Sequence, residues 1–194
     1  MSGMSGQVVG ILLAAGRGSR FDPEGARNKL MQPLADGGTV AVRAAAAMLG
    51  ALPRVLAVVR PGADVLAVAL RAAGCEVSCC AEASEGMGAS LRHAIGLARD
   101  ADGWVIALAD MPYVQSSTVR LLADAIRGGA SIAAPTREGR RGNPVAFHRN
   151  HLDALLGLSG DEGARRLLRS HPVMEIAVDD PGIARDIDTV DDLT

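Results

Sequence analysis

The stretch VVGILLAAGRGSRF, residues 8–21, decides the fold. Residues 8–14 form an unbroken run of apolar and small residues, which is typical of a strand that is buried on both faces of a parallel sheet. Residues 15–18 then supply small side chains and glycines, which let the backbone approach a ligand closely. We therefore predict a central strand that ends in a ligand-binding loop.

The same pattern recurs along the chain. Short apolar runs predict further strands at 55–59, 76–80, 105–109 and 131–134. Helical patterns lie between them, at 39–49, 64–73, 90–99 and 117–127. Asp64 is predicted as the N-cap of the second helix, and Gly74 follows its end. Strands that alternate with helices predict a single-domain three-layer α/β/α sandwich with a Rossmann-like, mostly parallel sheet.

The regular alternation of apolar runs and helical patterns ends after Pro135. Here we predict a polar loop, a short strand and two helices, at 136–142, 144–147, 150–156 and 162–168. In the acidic segment 186–193 we predict a short strand followed by the start of a helix. Residues 7–194 are expected to form one domain, since 194 residues fit the usual size of a single domain. The small, polar residues 1–6 are expected to be a disordered leader.

The bulk properties exclude several classes of protein. The apolar run 8–15 is far shorter than the roughly 18 residues that a membrane span requires, and no basic segment precedes it. A net charge of −2 and a pI near 6.1 argue against a nucleic-acid binder. The three cysteines, Cys75, Cys79 and Cys80, lack zinc-site spacing and are expected to be reduced, structural thiols. These features predict a cytoplasmic protein that binds neither membrane nor nucleic acid.

Positive charge gathers around the glycine-rich loop. Lys29 is the only lysine among the twenty basic residues, and it follows Arg17 and Arg20. Backbone N–H groups of a small-residue loop, together with these cations, indicate a phosphate cradle. The segment lacks the Gly-Lys-Ser/Thr end of a Walker A loop, and Phe21 stands where a dinucleotide fingerprint has its third glycine. An ordinary strand-to-loop turn is the alternative interpretation.

Two acidic positions are candidate metal ligands. Asp110 follows the apolar run 105–109, and ligands of open α/β sheets bind at the carboxyl ends of the strands. One carboxylate oxygen could hold Mg²⁺ there while a triphosphate supplies further oxygens. The acidic segment 186–193, which we call the tail, offers a second carboxylate, Asp188 or Asp186. The alternatives are a capping role for Asp110 and a solvated acidic terminus with Thr189 as an N-cap.

These segments, together with 86–91 and 142–145, resemble the molybdenum cofactor nucleotidyltransferases of the MobA-like family, and most closely their cytidylyltransferase branch. The resemblance extends from Val9 to Leu193 and keeps the order of the motifs. It implies a fold of the nucleotide-diphospho-sugar transferase type and an Mg²⁺-dependent nucleotidyltransferase. That enzyme would transfer CMP from CTP to a phosphate-bearing acceptor such as molybdopterin, with release of pyrophosphate and a molybdoenzyme as a possible partner. A GTP-using enzyme and a sugar-phosphate nucleotidyltransferase are the alternatives within this class.

The resemblance also implies roles for individual residues. Catalytic roles go to Lys29, Arg20 and Arg17, and metal binding goes to Asp110 and Asp188. The implied nucleotide-binding residues are Leu13, Ala14, Ala15, Gly16, Gly18, Gly86, Gly88 and Ser90. The implied acceptor-binding residues are Asn143, Asp161 and Arg165. An Ala-Ala-Gly opening of the loop goes with CTP and an Ala-Gly-Gly opening with GTP in this family, so Ala15 indicates CTP. Asp22 departs from the pattern, because the family usually has glycine soon after the arginine of the motif.

Two other classes of function remain open. A nicotinamide- or flavin-binding oxidoreductase has a similar start of strand, glycine turn and helix. A non-catalytic chaperone for cofactor insertion would bind a nucleotide in the same pocket but would not catalyse nucleotidyl transfer. The fold alone does not separate these classes.

Overall fold

The structure, a computed structural model, describes residues 7–18, 20–22, 27–35, 37–160 and 163–193. The predicted leader 1–6 and Asp161 lie outside these ranges. Within them, no helix combines the length and the apolar character that crossing a membrane requires.

An eight-stranded sheet forms the middle layer. In chain order its strands are β1 (Val8–Ala14), β2 (Val55–Val59), β3 (Glu76–Cys79), β4 (Gly103–Leu108), β5 (Ile132–Arg137), β6 (Arg140–Arg141), β7 (Val145–His148) and β8 (Met174–Ala177). They lie in the order β3-β2-β1-β4-β7-β5-β6, and β8 also pairs with β5. Strands β1 to β4 are parallel, whereas β7 is antiparallel to both of its neighbours. The predicted mostly parallel sheet is confirmed.

Helices cover both faces of the sheet. They are α1 (Val40–Leu49), α2 (Asp64–Ala73), α3 (Met87–Leu97), α4 (Ser116–Arg127), α5 (Leu152–Leu156) and α6 (Arg165–Ser170). Buried side chains of α1, α2 and α4 share one hydrophobic cluster, and those of α3, α5 and α6 share the other. Along β1, Leu12 points into the first cluster and Ile11 into the second. Burial on both faces explains why β1 is an unbroken apolar run.

The start of α3 and the N-cap of α2 differ from the predictions. Helix α3 begins at Met87 rather than at residue 90, because Gly86 has a φ of 118° and ends the preceding turn immediately before it. Asp64 is the first helical residue of α2, and Ala63 occupies the N-cap position instead. A carboxylate in the first helical turn still interacts favourably with the helix dipole, which accounts for the acidic residue at this position.

The second half of the chain differs more. The predicted polar loop contains the β5–β6 hairpin, and β8 was not predicted because its side chains are largely exposed at the sheet edge. The short strand predicted at the start of the segment 186–193 does not form, and a 3₁₀ turn at Val190–Leu193 takes the place of the predicted helix start. A helix was predicted at 162–168, but α6 begins only at Arg165. Residue 162 lies outside the described ranges.

The segment that follows β8 packs against the segment that follows β4. Asp180 is buried, and its Oδ2 accepts hydrogen bonds from Gln115 N at 2.9 Å and Thr118 Oγ1 at 2.6 Å, at the start of α4. Gly182 lies directly against the backbone of Tyr113, where a Cβ atom would overlap the Tyr113 carbonyl oxygen. The end of the chain therefore packs against the carboxyl edge of the sheet.

We expect Gly182→Ala to lower the free energy of unfolding by about 1 to 3 kcal/mol, because the added methyl group displaces backbone rather than a flexible side chain. Gly96→Ala is the matched control, since Gly96 is exposed within α3 and a Cβ there meets no atom within 4 Å. That control should stabilise the protein by about 0.4 to 1 kcal/mol through the unfolded chain. Urea denaturation measures both. Equal unfolding midpoints for Gly182→Ala and the unsubstituted protein would contradict the close packing of the segment that follows β8.

Candidate active site

The loop after β1 is anchored at both ends by buried side chains. Phe21 and Leu30 are 5% and 4% exposed. Gly18 has a φ of 65°, and its carbonyl oxygen accepts a hydrogen bond from Phe21 N at 3.0 Å. Asn28 Oδ1 accepts from Leu30 N at 3.0 Å and caps the 3₁₀ turn Lys29–Met31. The chain therefore leaves β1, turns at Gly18 and returns Lys29 to the end of the strand.

Lys29 lies between the two predicted metal ligands. Its Nζ is 2.7 Å from Asp110 Oδ2 and 3.5 Å from Asp188 Oδ1. It also donates a hydrogen bond to the Ile187 carbonyl oxygen at 3.0 Å. The Lys29 side chain is only 11% exposed, so its charge depends on these partners rather than on water. The structure thus brings together the loop after β1, the end of β4 and the tail.

Arg20 pairs with the same tail carboxylate from the solvent side. Its guanidinium is 2.6 Å from Asp188 Oδ2, but the Arg20 side chain is 81% exposed. An ion pair this exposed contributes only about 0 to 1 kcal/mol to stability. Arg20 is therefore easily released from Asp188 toward an anionic ligand.

The carboxylates have the chemistry of a divalent metal site. Among the described residues, Asp110 Oδ1 is buried without a hydrogen-bond partner, an arrangement that costs about 1 to 3 kcal/mol unless a ligand satisfies the oxygen. Aspartate oxygens are the ligands that Mg²⁺ and similar hard cations prefer. Within the described ranges, Asp110 and Asp188 share Lys29, whereas Asp186 is exposed and pairs with neither Lys29 nor Arg20. This geometry favours Asp188 over Asp186 as the second ligand.

A pocket of about 300 Å³ opens beside these charges. Its lining includes most of the predicted site, namely Leu13, Ala15, Gly16, Arg17, Gly18, Lys29, Gly86, Ser90 and Asp110. The lining also includes Leu30, Ala83, Ser84, Met87 and Leu108, which the sequence analysis did not place in the site. Small and apolar residues of this kind carry no chemical signature, so only the fold reveals them. A second pocket of about 360 Å³ adjoins the first one: Arg17 lines both pockets, and Arg60 lines the second.

Other predicted residues lie elsewhere. Ala14 is buried in the core under α1 and α2. Gly88 donates its N–H to the Gly160 carbonyl oxygen at 2.8 Å, and a Cβ at Gly88 would come within 2.9 Å of that oxygen. Gly88 is therefore required for packing, and its N–H is already used. Asn143 lines a separate narrow pocket, and Arg165 is exposed at the start of α6. The roles predicted for these residues stay predictions.

Asp22, the departure from the expected motif, serves the loop itself. Its Oδ2 accepts a hydrogen bond from Arg27 N at 2.6 Å. The carboxylate thus links the two sides of the segment between Phe21 and Asn28.

The loop that carries Asp188 is held by Asp192. Asp192 Oδ2 accepts hydrogen bonds from Thr189 N at 2.6 Å and Asp188 N at 3.0 Å. The Thr189 backbone bond, followed by its side chain and the Asp188 bond, holds the pKa of Asp192 below its usual range. A lowered folded-state pKa means that this contribution to stability is present at neutral pH and is lost as the pH falls through that pKa. Thr189 directly precedes the 3₁₀ turn that begins at Val190, in the N-cap position, and both its backbone N–H and its hydroxyl donate to Asp192 Oδ2.

Comparison with known proteins agrees with this geometry. The family model described as the MobA-like NTP transferase domain matches residues 10–175. The chain is 33% identical over 195 residues to purine catabolism protein PucB of Bacillus subtilis, covering 94% of this chain and 92% of that protein. It is 34% identical over 198 residues to nicotine blue oxidoreductase of Paenarthrobacter nicotinovorans, covering 96% of this chain and 94% of that protein.

Solved structures give the same fold. The crystal structure of Rv0371c from Mycobacterium tuberculosis is 31% identical, covers 97% of this chain and 96% of its own, and superimposes with a TM-score of 0.80. A complex of Rv0371c with manganese, also 31% identical, covers 96% of this chain and 95% of its own with a TM-score of 0.75. That complex is a structure of this fold that holds a divalent metal.

We expect Asp188→Asn to weaken Mn²⁺ binding at least about tenfold, because even outer-shell changes at metal sites cost about 10- to 100-fold in affinity. Asp186→Asn removes the same charge two residues away and should bind Mn²⁺ as the unsubstituted protein does. Titration followed by the electron paramagnetic resonance of free Mn²⁺ measures both affinities. If Asp186→Asn proves the weaker binder, the two carboxylates have the opposite roles.

Proposed function

The chain belongs to the MobA-like NTP transferase family, and we propose that it is an Mg²⁺-dependent cytidylyltransferase that transfers CMP from CTP to a phosphate-bearing acceptor such as molybdopterin, releasing pyrophosphate. The observation that carries the proposal is Lys29 between Asp110 and Asp188 at the edge of a glycine-lined pocket. A pair of carboxylates beside several cations suits a metal-bound triphosphate. A molybdoenzyme that receives the product would then be a partner, and the cytoplasm remains the expected location.

The acceptor requires no general base. A phosphate monoester has its second pKa near 6, so its oxygen is already an anion at neutral pH. The barrier then lies in bringing that anion to a triphosphate and in stabilising the charge on departing pyrophosphate. Position and positive charge meet both needs, and Lys29, Arg17 and Arg20 supply them at the pocket.

The charges of the site suggest how the residues act. Bound Mg²⁺ would supply charge neutralisation and orientation of the phosphate oxygens. Asp110, through its unpaired Oδ1, and Asp188 would hold it. Once these carboxylates face the metal, Lys29 and Arg20 are free to pair with phosphate oxygens instead. Arg17, which is exposed and lines the pocket, adds a third cation.

The choice of CTP rests on Ala15. Its side chain is 7% exposed and lines the pocket between Leu13 and Gly16. A methyl group at this position takes up space that glycine would leave open, so a smaller pyrimidine should be preferred to guanine. A GTP-using enzyme and a sugar-phosphate acceptor remain the alternatives within the class.

An oxidoreductase is the second candidate function, because the similar protein from Paenarthrobacter nicotinovorans is named nicotine blue oxidoreductase. A dinucleotide-binding strand leads through its glycine turn directly into a helix whose N-terminus faces the pyrophosphate. Here, among the residues that the structure describes, the first α-helix after β1 is α1, which begins only at Val40. This spacing favours the transferase. Binding and oxidation of NADH or NADPH would support the oxidoreductase, and nucleotide binding without pyrophosphate release would support a cofactor-insertion chaperone.

A panel of nucleoside triphosphates with Mg²⁺ and molybdopterin tests the proposal, with pyrophosphate release as the measurement. We expect kcat/KM to be higher for CTP than for GTP by about 10- to 200-fold, the range that one methyl group provides. Ala15→Gly should narrow that gap rather than reverse it. Asp110→Ala is the inactive control, with its fold checked by circular dichroism. Equal or better use of GTP by the unsubstituted protein would reject CTP specificity, and absence of pyrophosphate with every triphosphate would reject this transferase activity.

Lys29→Ala and Lys29→Arg test the role of the lysine in pairing with phosphate. The alanine variant should lose activity, because nothing then offsets the charge of the triphosphate at this position. The arginine variant keeps the charge but changes its shape and reach, so we expect partial activity. Arg43→Ala, at a half-buried position of α1 outside the lining of the pocket, is a control for loss of positive charge elsewhere. Full activity of Lys29→Ala would contradict the role of Lys29.

A further inference from the structure

A second cluster of metal-binding side chains lies on the far side of the pocket wall. Cys80, Glu82 and His93 place their ligand atoms within 4.8 Å of one another, and none of these residues lines the main pocket. Cys80 follows β3, Glu82 lies in the 3₁₀ turn Ala81–Glu85, and His93 is on α3. The cysteines alone lack zinc spacing in the sequence, but the fold adds a carboxylate and an imidazole.

We propose that Cys80, Glu82 and His93 form a binding site for Zn²⁺ or a similar borderline cation, separate from the carboxylate site at Asp110. A thiolate, an imidazole and a carboxylate are all zinc ligands, whereas Mg²⁺ prefers oxygen alone. Three protein ligands leave a fourth position for water, as in many zinc sites. The proposal does not depend on the transferase activity.

The distances are close to those that a shared ion requires. Two ligands of a tetrahedral zinc, one sulfur and one oxygen, lie about 3.6 Å apart when their bonds are about 2.3 and 2.1 Å long. Cys80 Sγ and Glu82 Oε2 are 3.7 Å apart. The exposed Glu82 and the half-buried His93 need to move by only about 1 Å to complete the geometry, which is within the reach of side-chain rotation.

Neighbouring residues fix two of the three ligands. Cys80 is fully buried, and its thiol otherwise makes only a long contact, 3.9 Å, with the Ala89 carbonyl oxygen. Ser78 Oγ lies 2.8 Å from His93 Nε2 and holds the imidazole beside the cluster. Ser78 and Cys80 are two residues apart and so face the same side of the chain as it leaves β3. Such hydrogen bonds to a histidine commonly orient it for a metal.

The position of the cluster gives the ion a structural consequence. Glu82 is followed directly by Ala83 and Ser84, which line the nucleotide pocket. An ion at this cluster would therefore join β3, the 3₁₀ turn and α3 and stiffen that wall of the pocket.

Titration of the metal-free, full-length protein with Co²⁺ alone tests the proposal. A thiolate ligand gives Co²⁺ a sulfur-to-metal charge-transfer band in the near ultraviolet, which oxygen ligands at Asp110 and Asp188 cannot give. We expect one such site per chain, displacement of its Co²⁺ by Zn²⁺, and retention of the band in Asp110→Asn. Retention there separates this site from the proposed catalytic metal site.

The matched pair of variants is Cys80→Ser and Cys79→Ser. Cys79 is the exposed neighbour outside the cluster, so its variant should keep the band, whereas Cys80→Ser should lose it. His93→Gln and Glu82→Gln, which leave the buried thiol unchanged, should each bind Co²⁺ at least about tenfold more weakly. Absence of the band in the unsubstituted protein, its persistence in Cys80→Ser, its loss in Cys79→Ser, or unchanged affinity in both His93→Gln and Glu82→Gln would each overturn the site.

Discussion

One ammonium group, that of Lys29, joins three parts of the chain that are far apart in sequence. It contacts Asp110 after β4, and both the Ile187 carbonyl oxygen and Asp188 in the tail. A lysine so little exposed needs compensating charge, because an unpaired charge out of water is strongly unfavourable. The two aspartates meet that need, and they in turn need Lys29. Closure of the tail over the sheet edge and assembly of the candidate active site therefore depend on the same interaction.

Backbone hydrogen bonds also hold the segments around Lys29 together, independently of the side chains. Ala109 N donates to the Leu13 carbonyl oxygen at 3.0 Å, which extends the pairing of β1 and β4 past the end of β4. Ile187 N then donates to the Asp110 carbonyl oxygen at 2.8 Å. The tail thus continues the hydrogen bonding beyond the regular sheet. Because its position is fixed by backbone groups, Asp188 reaches the site without the regular strand that the sequence predicted.

The sequence predicted best the elements that a single strong local pattern determines. Strand β1, strand β2 and helix α2 have the predicted bounds, because continuous apolar runs and Gly74 mark them. The start of α3 was wrong because Gly86 and Gly88 look like a flexible loop, whereas Gly88 is small so that α3 can approach Gly160. Two other features depend on contacts between distant segments. They are the pocket wall at Ala83 and Ser84 and the edge strand β8. No local pattern encodes such contacts.

The ion pairs of the free protein also imply that metal and triphosphate favour each other's binding. A cation that bound alone would weaken the pairing of Lys29 with Asp110 and Asp188, and the neutral Ile187 carbonyl oxygen carries no charge to replace it. A triphosphate that bound alone would bring its charge close to these two carboxylates, which already pair with Lys29 and Arg20. Were both to bind, the carboxylates would pair with the metal and the cations with the phosphates, so each charge would have a partner. Such coupling is reciprocal by thermodynamic necessity, and the geometry around Lys29 therefore suits a metal–nucleotide complex better than either component alone.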